Sequence, residues 1–161
     1  MRRIRSKHTK PELIIRSLLH RSGFRFRLND KNLPGSPDIV LSKYNTVIFV
    51  HGCFWHRHTN CSKATMPSTN TDYWQKKFDR NITRDIEIKV ALQNLEWNVI
   101  VLWECDIMND PISVLELVIK KLGYKEYKNP IHGIGRKQIL KIAEEKSQYF
   151  LKNRSKINEK K

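Results

Sequence analysis

The spacing of apolar and polar residues predicts a helix and then a strand in the first part of the chain. Apolar side chains recur at helical spacing over 14–19, and Gly23 can end this helix. Thr9 and Glu12 stand at the two positions of a capping box, which fixes the start of the helix. Residues 24–28 then alternate apolar and basic side chains, as a half-buried strand does.

Three apolar runs bounded by turns predict further strands. A turn over 33–37 delivers Asp38 to the head of a short strand, 39–41, and a second turn leads into a buried strand, 46–50. Residues 99–103 form another buried run. The first two strands are close enough in sequence to pair as a hairpin.

Two further helices complete the pattern. Apolar residues recur every fourth position over roughly 72–95, which predicts a long amphipathic helix. Residues 112–122 form a helix that Gly123 closes, and a weaker pattern predicts one near 136–151. This order of helices and strands implies an α/β sandwich with a mixed central sheet.

Length and composition fit a cytoplasmic globular protein. A chain of 161 residues with 39% apolar residues has room for a core. Its apolar runs fall short of the roughly 18 residues that a membrane span needs, and the charged N-terminus lacks the apolar region of a secretory signal. Three cysteines make an odd count, which argues against a disulfide framework and fits reduced thiols.

The net charge of +15 is concentrated at the two ends of the chain. Residues 1–30 carry nine Lys or Arg against two Asp or Glu, and residues 125–161 carry eleven against four. The segment between them, 31–124, is nearly neutral, with eleven basic residues against ten acidic ones. Two basic ends favour nucleic acid as the partner, although membrane lipid or ribosomal RNA would fit the charge equally well.

The sequence HGCFWHRHTNC, residues 51–61, contains a candidate zinc site. Cys53, His58 and Cys61 supply thiolate and imidazole ligands, and a closed tetrahedral shell needs a fourth. Cys105 is the remaining cysteine and follows a predicted strand that could lie beside strand 46–50. The alternative is that these cysteines are small buried apolar residues.

A second metal site is predicted around Asp38. The hairpin brings this carboxylate close to His51, and hard oxygen ligands with phosphate oxygens suit Mg²⁺. His51 and His56 would then serve as general base and as orienter of metal-bound water. Each residue also has a structural reading: an Asx turn for Asp38, capping for Glu12, and ordinary surface or core positions for the histidines.

The chain contains the segments LPGSPDIV, VIFVHGCFWHRH, NITRD at 81–85 and VLWEC at 101–105. These four segments resemble the very short patch repair (Vsr) endonucleases, bacterial enzymes that nick DNA at T·G mismatches left by deamination of 5-methylcytosine. The resemblance covers roughly residues 1–123, and the combination of its first two motifs is highly specific. It implies a restriction-endonuclease-like α/β/α sandwich over 1–124, followed by a basic C-terminal extension, 125–161, that adds phosphate affinity.

The resemblance also implies roles for the residues of a magnesium site. Asp38 matches a metal-bridging aspartate, and Val50 matches the residue whose backbone carbonyl also binds Mg²⁺. Glu12 and His51 match groups that hold metal-bound waters. His56 matches the histidine placed at the attacking water.

The remaining implied roles concern zinc and DNA. The four residues of the candidate zinc site match a structural shell. Phe54 and Trp55 match aromatics that wedge into the base stack beside the mismatch, and Met1 and Ile4 fall at positions that insert from the other groove. The implied enzyme acts as a monomer in the cytoplasm, at the nucleoid, with a functional link to a cytosine-5 DNA methyltransferase and mismatch-repair proteins.

Two other functions would use many of the same residues. A zinc-stabilised DNA-binding module without catalysis would explain the charge, the cysteines and the aromatics, but it leaves Asp38, His51 and His56 without a task. A restriction or homing nuclease on a similar core would explain the catalytic residues but gives Phe54 and Trp55 no special purpose.

Overall fold

A computed structural model describes residues 8–123 and Lys141. The predicted helix near 136–151 and the extension 125–161 therefore lie outside the described residues, apart from Lys141. Met1 and Ile4, which the resemblance places at DNA, also lie outside them. None of the described helices is long and apolar enough to cross a membrane. In chain order the elements are α1 (Lys10–Arg21), β1 (Ile39–Leu41), β2 (Thr46–His51), α2 (Thr71–Asn94), β3 (Asn98–Trp103), α3 (Glu104–Asn109) and α4 (Pro111–Lys121).

The three strands form a mixed sheet with β2 in the middle. β1 pairs with β2 antiparallel, with Ile39 opposite Ile48. β3 pairs with β2 in parallel, so that His51 lies opposite Trp103. The predicted hairpin and the predicted mixed sheet are both confirmed, and the carboxyl ends of β2 and β3 lie side by side.

Alternate side chains of the strands enter two separate apolar clusters, as strand geometry requires. Ile39 and Ile48 belong to the larger cluster, which also contains buried residues of α1, α3 and α4. Val40 and Val47 belong to a smaller cluster with Leu92 of α2. Helices thus contribute to the packing of both faces of the sheet.

The segment 24–28 is not a strand, contrary to the prediction. Arg27 makes one isolated bridge with Val40, through two backbone hydrogen bonds of 3.0 and 2.9 Å. The pairing stops there because Asn29 turns the chain at a φ of +49° and Ser42 begins a 3-10 turn. The alternation predicted the inward side chains only in part: Phe24 is buried in the larger cluster and Phe26 packs against it, but Leu28 is exposed.

The chain between β3 and α4 also differs from the prediction. Residues 104–109 form the short helix α3, which begins directly where β3 ends. A six-residue helix with one buried side chain, Ile107, leaves little periodicity in the sequence. Cys105 consequently lies in the first turn of a helix, close to the end of its strand.

Gly35 allows the loop before β1 to approach α2 closely. Its φ is +71°, and a β-carbon there would lie 2.6 Å from Cγ2 of Ile88. A glycine is therefore required both for the backbone conformation and for the space. This close approach fixes the loop that delivers Asp38 to β1.

We expect Gly35→Ala to lower the free energy of unfolding by about 2–4 kcal/mol, because the added methyl group combines overpacking with a left-handed conformation. Gly23→Ala is the matched control: φ is +86° there, but nothing lies within 4 Å of the added carbon. It should lose only about 1–2 kcal/mol. Urea denaturation measures both, and equal losses would contradict the packing argument.

Candidate active site and metal centre

The candidate site is built at the carboxyl end of β2. The antiparallel pairing brings the residue before β1, Asp38, to this end, and the parallel pairing brings the residues after β3 there. The loop that follows β2 carries the histidines, cysteines and aromatics of residues 52–61. Two strand pairings therefore gather residues that are far apart in sequence.

Asp38 lies against β2 as the hairpin predicted. Its Oδ2 accepts a hydrogen bond of 2.8 Å from the backbone N–H of Val50. Burial raises the pKa of Asp38 to about 6, while the Val50 N–H opposes the rise and the charge of Glu12 adds to it. A carboxylate that is costly to ionise in isolation is stabilised by a nearby cation.

Glu12 is buried next to this carboxylate, and its own oxygens are held by four donors. Oε1 lies 2.8 Å from the Thr9 hydroxyl and 3.4 Å from the Thr9 N–H, so the predicted capping box is present. Oε2 accepts from the His8 N–H at 3.1 Å and from Arg16 at 2.7 Å. Glu12 therefore lies near Asp38, and the predicted capping contacts of Glu12 are all present.

His51 and His56 lie together at the same end of β2. Their rings stack, with centroids 3.7 Å apart and an interplanar angle of 13°. Burial and the neighbouring His56 lower the pKa of His51 to about 4, so its ring is neutral near pH 7. Neither ring is therefore an ordinary solvated surface histidine.

Asp85 completes the histidine group and was assigned no role from the sequence. Nδ1 of His56 donates a short hydrogen bond to Oδ2 of Asp85, and ligand atoms of His51, His56 and Asp85 all lie within 4.8 Å of one another. Burial raises the pKa of Asp85, but the hydrogen bond and charge of His56 outweigh it, and the net pKa is lowered. The signal available in the sequence was the position of Asp85 in the 81–85 motif.

The four predicted zinc ligands come together. One ligand atom each from Cys53, His58, Cys61 and Cys105 lies within 4.8 Å of the others. Nδ1 of His58 is 3.7 Å from Sγ of Cys53 and 3.1 Å from Sγ of Cys105. In a tetrahedral shell with metal–ligand bonds of about 2.0–2.3 Å, these atoms would be about 3.5 Å apart. The donor set and its spacing fit a metal ion.

Burial makes two of the three clustered thiols costly to ionise. Burial raises the pKa of Cys53, and burial followed by the Cys53 side chain raises that of Cys105 to about 12. The Lys63 backbone N–H lowers the pKa of the more exposed Cys61. A bound metal would relieve this cost, because it stabilises the thiolate forms.

The loop aromatics pack against α2. The Phe54 ring makes edge contacts with Trp55, Trp74 and Phe78, at centroid distances of 5.0, 5.5 and 5.2 Å. Nζ of Lys77 lies 5.0 Å from the centre of the Trp55 ring. Phe54 and Trp55 are half-buried, and the sequence pattern did not reveal that Trp74 belongs to the same aromatic cluster.

One turn of α2 holds the loop at two consecutive residues. Asn81 donates a 3.1 Å hydrogen bond to the carbonyl oxygen of Trp55, and Asp85 accepts from His56. These partners are four residues apart on the helix, so they lie on one face. The aromatic residue and the histidine are therefore positioned by the same rigid element.

The chain is similar to known DNA endonucleases. The family model described as "DNA mismatch endonuclease Vsr" matches residues 1–63. The Type II nicking enzyme V.NmeAIP of Neisseria meningitidis is 50% identical over 112 residues, covering 70% of this chain and 79% of the relative. The Type II nicking enzyme V.XorIIP of Xanthomonas oryzae is 48% identical over 122 residues, covering 76% and 88%.

A third relative carries the name of the family itself. The DNA mismatch endonuclease Vsr of Escherichia coli is 44% identical over 105 residues, which cover 65% of this chain and 67% of the relative. The residues matched by the family model, 1–63, include the loop between Val50 and Cys61, which carries residues of both candidate metal centres. The chain belongs to the Vsr family of DNA mismatch endonucleases.

Proposed function

We propose that this DNA endonuclease nicks one strand of a duplex beside a T·G mismatch that deamination of 5-methylcytosine has left, and so starts very short patch repair. A relative is named as a mismatch endonuclease and others as nicking enzymes. The observation that carries the proposal is the convergence of Asp38, His56 and Asp85 beside an aromatic loop. A purely DNA-binding module would leave these three residues without a task.

The charge and shape of the molecule support a DNA substrate. The chain has a net charge of +15, and Lys77 lies at the aromatic cluster. Basic side chains at such a place suit contacts with phosphate groups, which position the duplex without reading its sequence. The helices on both faces of the mixed sheet are consistent with the restriction-endonuclease-like sandwich that we propose for the fold.

Asp38 and the backbone carbonyl of Val50 would hold a magnesium ion. Within the described residues, the half-buried Asp38 and the buried Glu12 share the guanidinium of Arg16, and a cation at the Asp38 carboxylate would further stabilise its charged form. Mg²⁺ supplies Lewis-acid chemistry there, polarising the scissile phosphate and stabilising the leaving oxygen. Glu12 and His51 would orient waters at the same position, with His51 neutral because its pKa is lowered.

His56 would act as the general base. Asp85 accepts from Nδ1, which leaves Nε2 as the nitrogen that takes a proton from the attacking water. Attack at phosphorus breaks the bond to the 3′ oxygen, and the products are a 3′-hydroxyl and a 5′-phosphate. Asp85 stabilises the imidazolium that forms, as the carboxylate does in other histidine–carboxylate pairs.

The cysteine–histidine cluster would hold a structural zinc ion. Four protein ligands fill a tetrahedral shell, which leaves no open position for substrate. Its ligands come from the loop after β2 and from the start of α3, so the ion would brace one against the other. His58 also stacks on Trp103, with ring centroids 4.1 Å apart, which further fixes the loop.

Phe54 and Trp55 would enter the base stack beside the mismatch. Unstacking costs a few kcal/mol per step and costs less where a base is mispaired. The Phe54 ring packs against Trp74 and Phe78 of α2. These contacts would keep the loop in place when its aromatic side chains contact the bases. The weaker stacking of a T·G step would then be what selects the site.

The remaining parts of the proposal concern residues and partners outside the described site. Met1 and Ile4 would insert from the opposite groove, and the basic extension 125–161 would add contacts to phosphate. The enzyme would act as a monomer in the cytoplasm, at the nucleoid. Its substrate links it to a cytosine-5 DNA methyltransferase, whose product deaminates to thymine, and to mismatch-repair proteins that process the same lesion.

We expect the purified protein to contain about one zinc ion per chain by elemental analysis. Cys61→Ser should lose most of it and melt several degrees lower, because the shell braces the loop. Cys61 is chosen because, unlike the buried Cys53, it is only half-buried, so its packing loss is small. His20→Asn, at an exposed histidine on α1, is the control. A zinc-free parent, or a Cys61→Ser variant that melts like the parent, would sink the assignment.

Asp38→Asn and His56→Ala should each slow Mg²⁺-dependent nicking of a T·G duplex by about 100-fold or more. The first removes a ligand charge and the second removes the base, while DNA binding measured by anisotropy should persist. Asp79→Asn changes an exposed carboxylate on α2 and should leave the rate unchanged. Full activity in either site variant would refute its catalytic role.

Trp55→Ala should reduce the preference for a T·G duplex over a matched duplex by about tenfold or more, since stacking of a base on an aromatic ring contributes about 1–3 kcal/mol. The ratio of the two nicking rates measures this preference. Leu117→Ala removes an exposed apolar side chain on α4 and serves as the control. An unchanged ratio in Trp55→Ala would rule out the wedge.

A further inference from the structure

Arg16 is a buried charged residue that the mechanism above does not use except as a counter-charge. It lies on α1 one turn after Glu12, and only 6% of its surface is exposed. Charged side chains are almost never this buried unless they are paired. Its surroundings therefore indicate what the guanidinium does.

The guanidinium of Arg16 contacts three residues from two segments of the chain. One terminal nitrogen donates a 2.7 Å hydrogen bond to Oε2 of Glu12 and lies 3.5 Å from the backbone carbonyl oxygen of Asp38. The other donates to Nδ1 of His8 at 2.9 Å. Arg16 thus connects the start of α1 with the residue at the head of β1.

The stability of the fold alone gives little reason for a charge at this position. Burial lowers the pKa of Arg16, and the charges of Glu12 and Asp38 oppose this effect. Its Nε is buried and lacks a hydrogen-bond partner in the described part of the chain. Apolar residues often replace buried ion pairs without loss of stability. The particular contacts of the guanidinium are therefore the feature to explain.

We propose that Arg16 is a positioning residue for the Asp38 end of the nuclease site. It holds the Glu12 carboxylate and the main chain of Asp38 in one arrangement, and Asp38 in turn accepts from the Val50 N–H. The two proposed oxygen ligands of the metal, the Asp38 carboxylate and the Val50 carbonyl, are thereby presented together. This inference rests on the proposed function.

A lysine could not reproduce this arrangement. The planar guanidinium directs donors to His8, Glu12 and Asp38 at once, whereas an ammonium is a compact point charge on a flexible stem. Arg16→Lys therefore keeps the charge and removes the geometry. Arg21→Lys is the matched control, because Arg21 is exposed at the end of the same helix.

The experiment compares the full-length parent, Arg16→Lys and Arg21→Lys. It measures kcat and KM for nicking a T·G duplex, the Mg²⁺ concentration that gives half the maximal rate, and Mn²⁺ binding by calorimetry without DNA. For Arg16→Lys we expect kcat and metal affinity to fall about 10- to 100-fold, as loss of a residue that orients metal ligands does. The KM for DNA should stay within about twofold, and Arg21→Lys should match the parent in each measurement.

Two outcomes would overturn the proposal: a role for Arg16 in stability alone, and a requirement for Arg16 in folding. A lower melting temperature with unchanged kcat and unchanged Mn²⁺ affinity would show that Arg16 is only structural. If Arg16→Lys does not fold, Arg16→Gln takes its place with the same expectations, and failure of both to fold would make Arg16 a requirement of folding. A parent protein that does not nick the duplex would refute the proposed function instead. The Mn²⁺ affinities of the parent and Arg16→Lys would then still show whether Arg16 positions the metal ligands.

Discussion

The pairing of β2 with both of its neighbours is the constraint on which the site depends. The antiparallel partner places Asp38 beside Val50, and the parallel partner places Cys105 beside the loop that follows His51. A shift of one residue in either pairing would turn the buried side chains of that strand to the opposite face. The apolar clusters on the two faces therefore fix the register and, through it, the relative position of the candidate metal ligands.

The loop after β2 serves several purposes because it is held from two sides. The cysteine–histidine cluster connects it to α3, and Asn81 and Asp85 connect it to α2. Between these contacts, candidate metal ligands, histidines and aromatic residues follow one another within residues 51–61. In the proposed mechanism this arrangement lets a structural metal fix the loop while the histidines and aromatics face the DNA.

Short sequence patterns predicted the parts of the site that depend on interactions between residues close together in the sequence. The capping box, the hairpin that brings Asp38 to β2, and the meeting of Cys53 with Cys105 all followed from spacing and turn chemistry. The strand at 24–28 failed because strand pairing depends on a partner distant in sequence, and β1 offers only Val40. The alternation predicted the burial of Phe24 but not the exposure of Leu28, because burial, like strand pairing, depends on partners distant in sequence.

Tertiary contacts account for what the sequence did not reveal. Asp85 and Trp74 lie on an amphipathic helix whose periodicity predicts only which face is buried. The periodicity does not show that Asp85 contacts His56, 29 residues earlier in the chain, or that Trp74 contacts Phe54. Arg16 stands among apolar residues of α1, where a charged side chain ordinarily indicates the solvent face. Only the structure shows it buried against Glu12.

The most direct test of the account compares the nicking of two duplexes that differ only in one base, a T·G mismatch against a matched pair. Each is incubated with the full-length protein in Mg²⁺ or in EDTA, and the strands are resolved on a denaturing gel. The account predicts one nick, next to the mismatch, in the T·G duplex with Mg²⁺, and intact strands in the other three reactions. Equal cleavage of both duplexes, cleavage of both strands, or binding without any nick would contradict it.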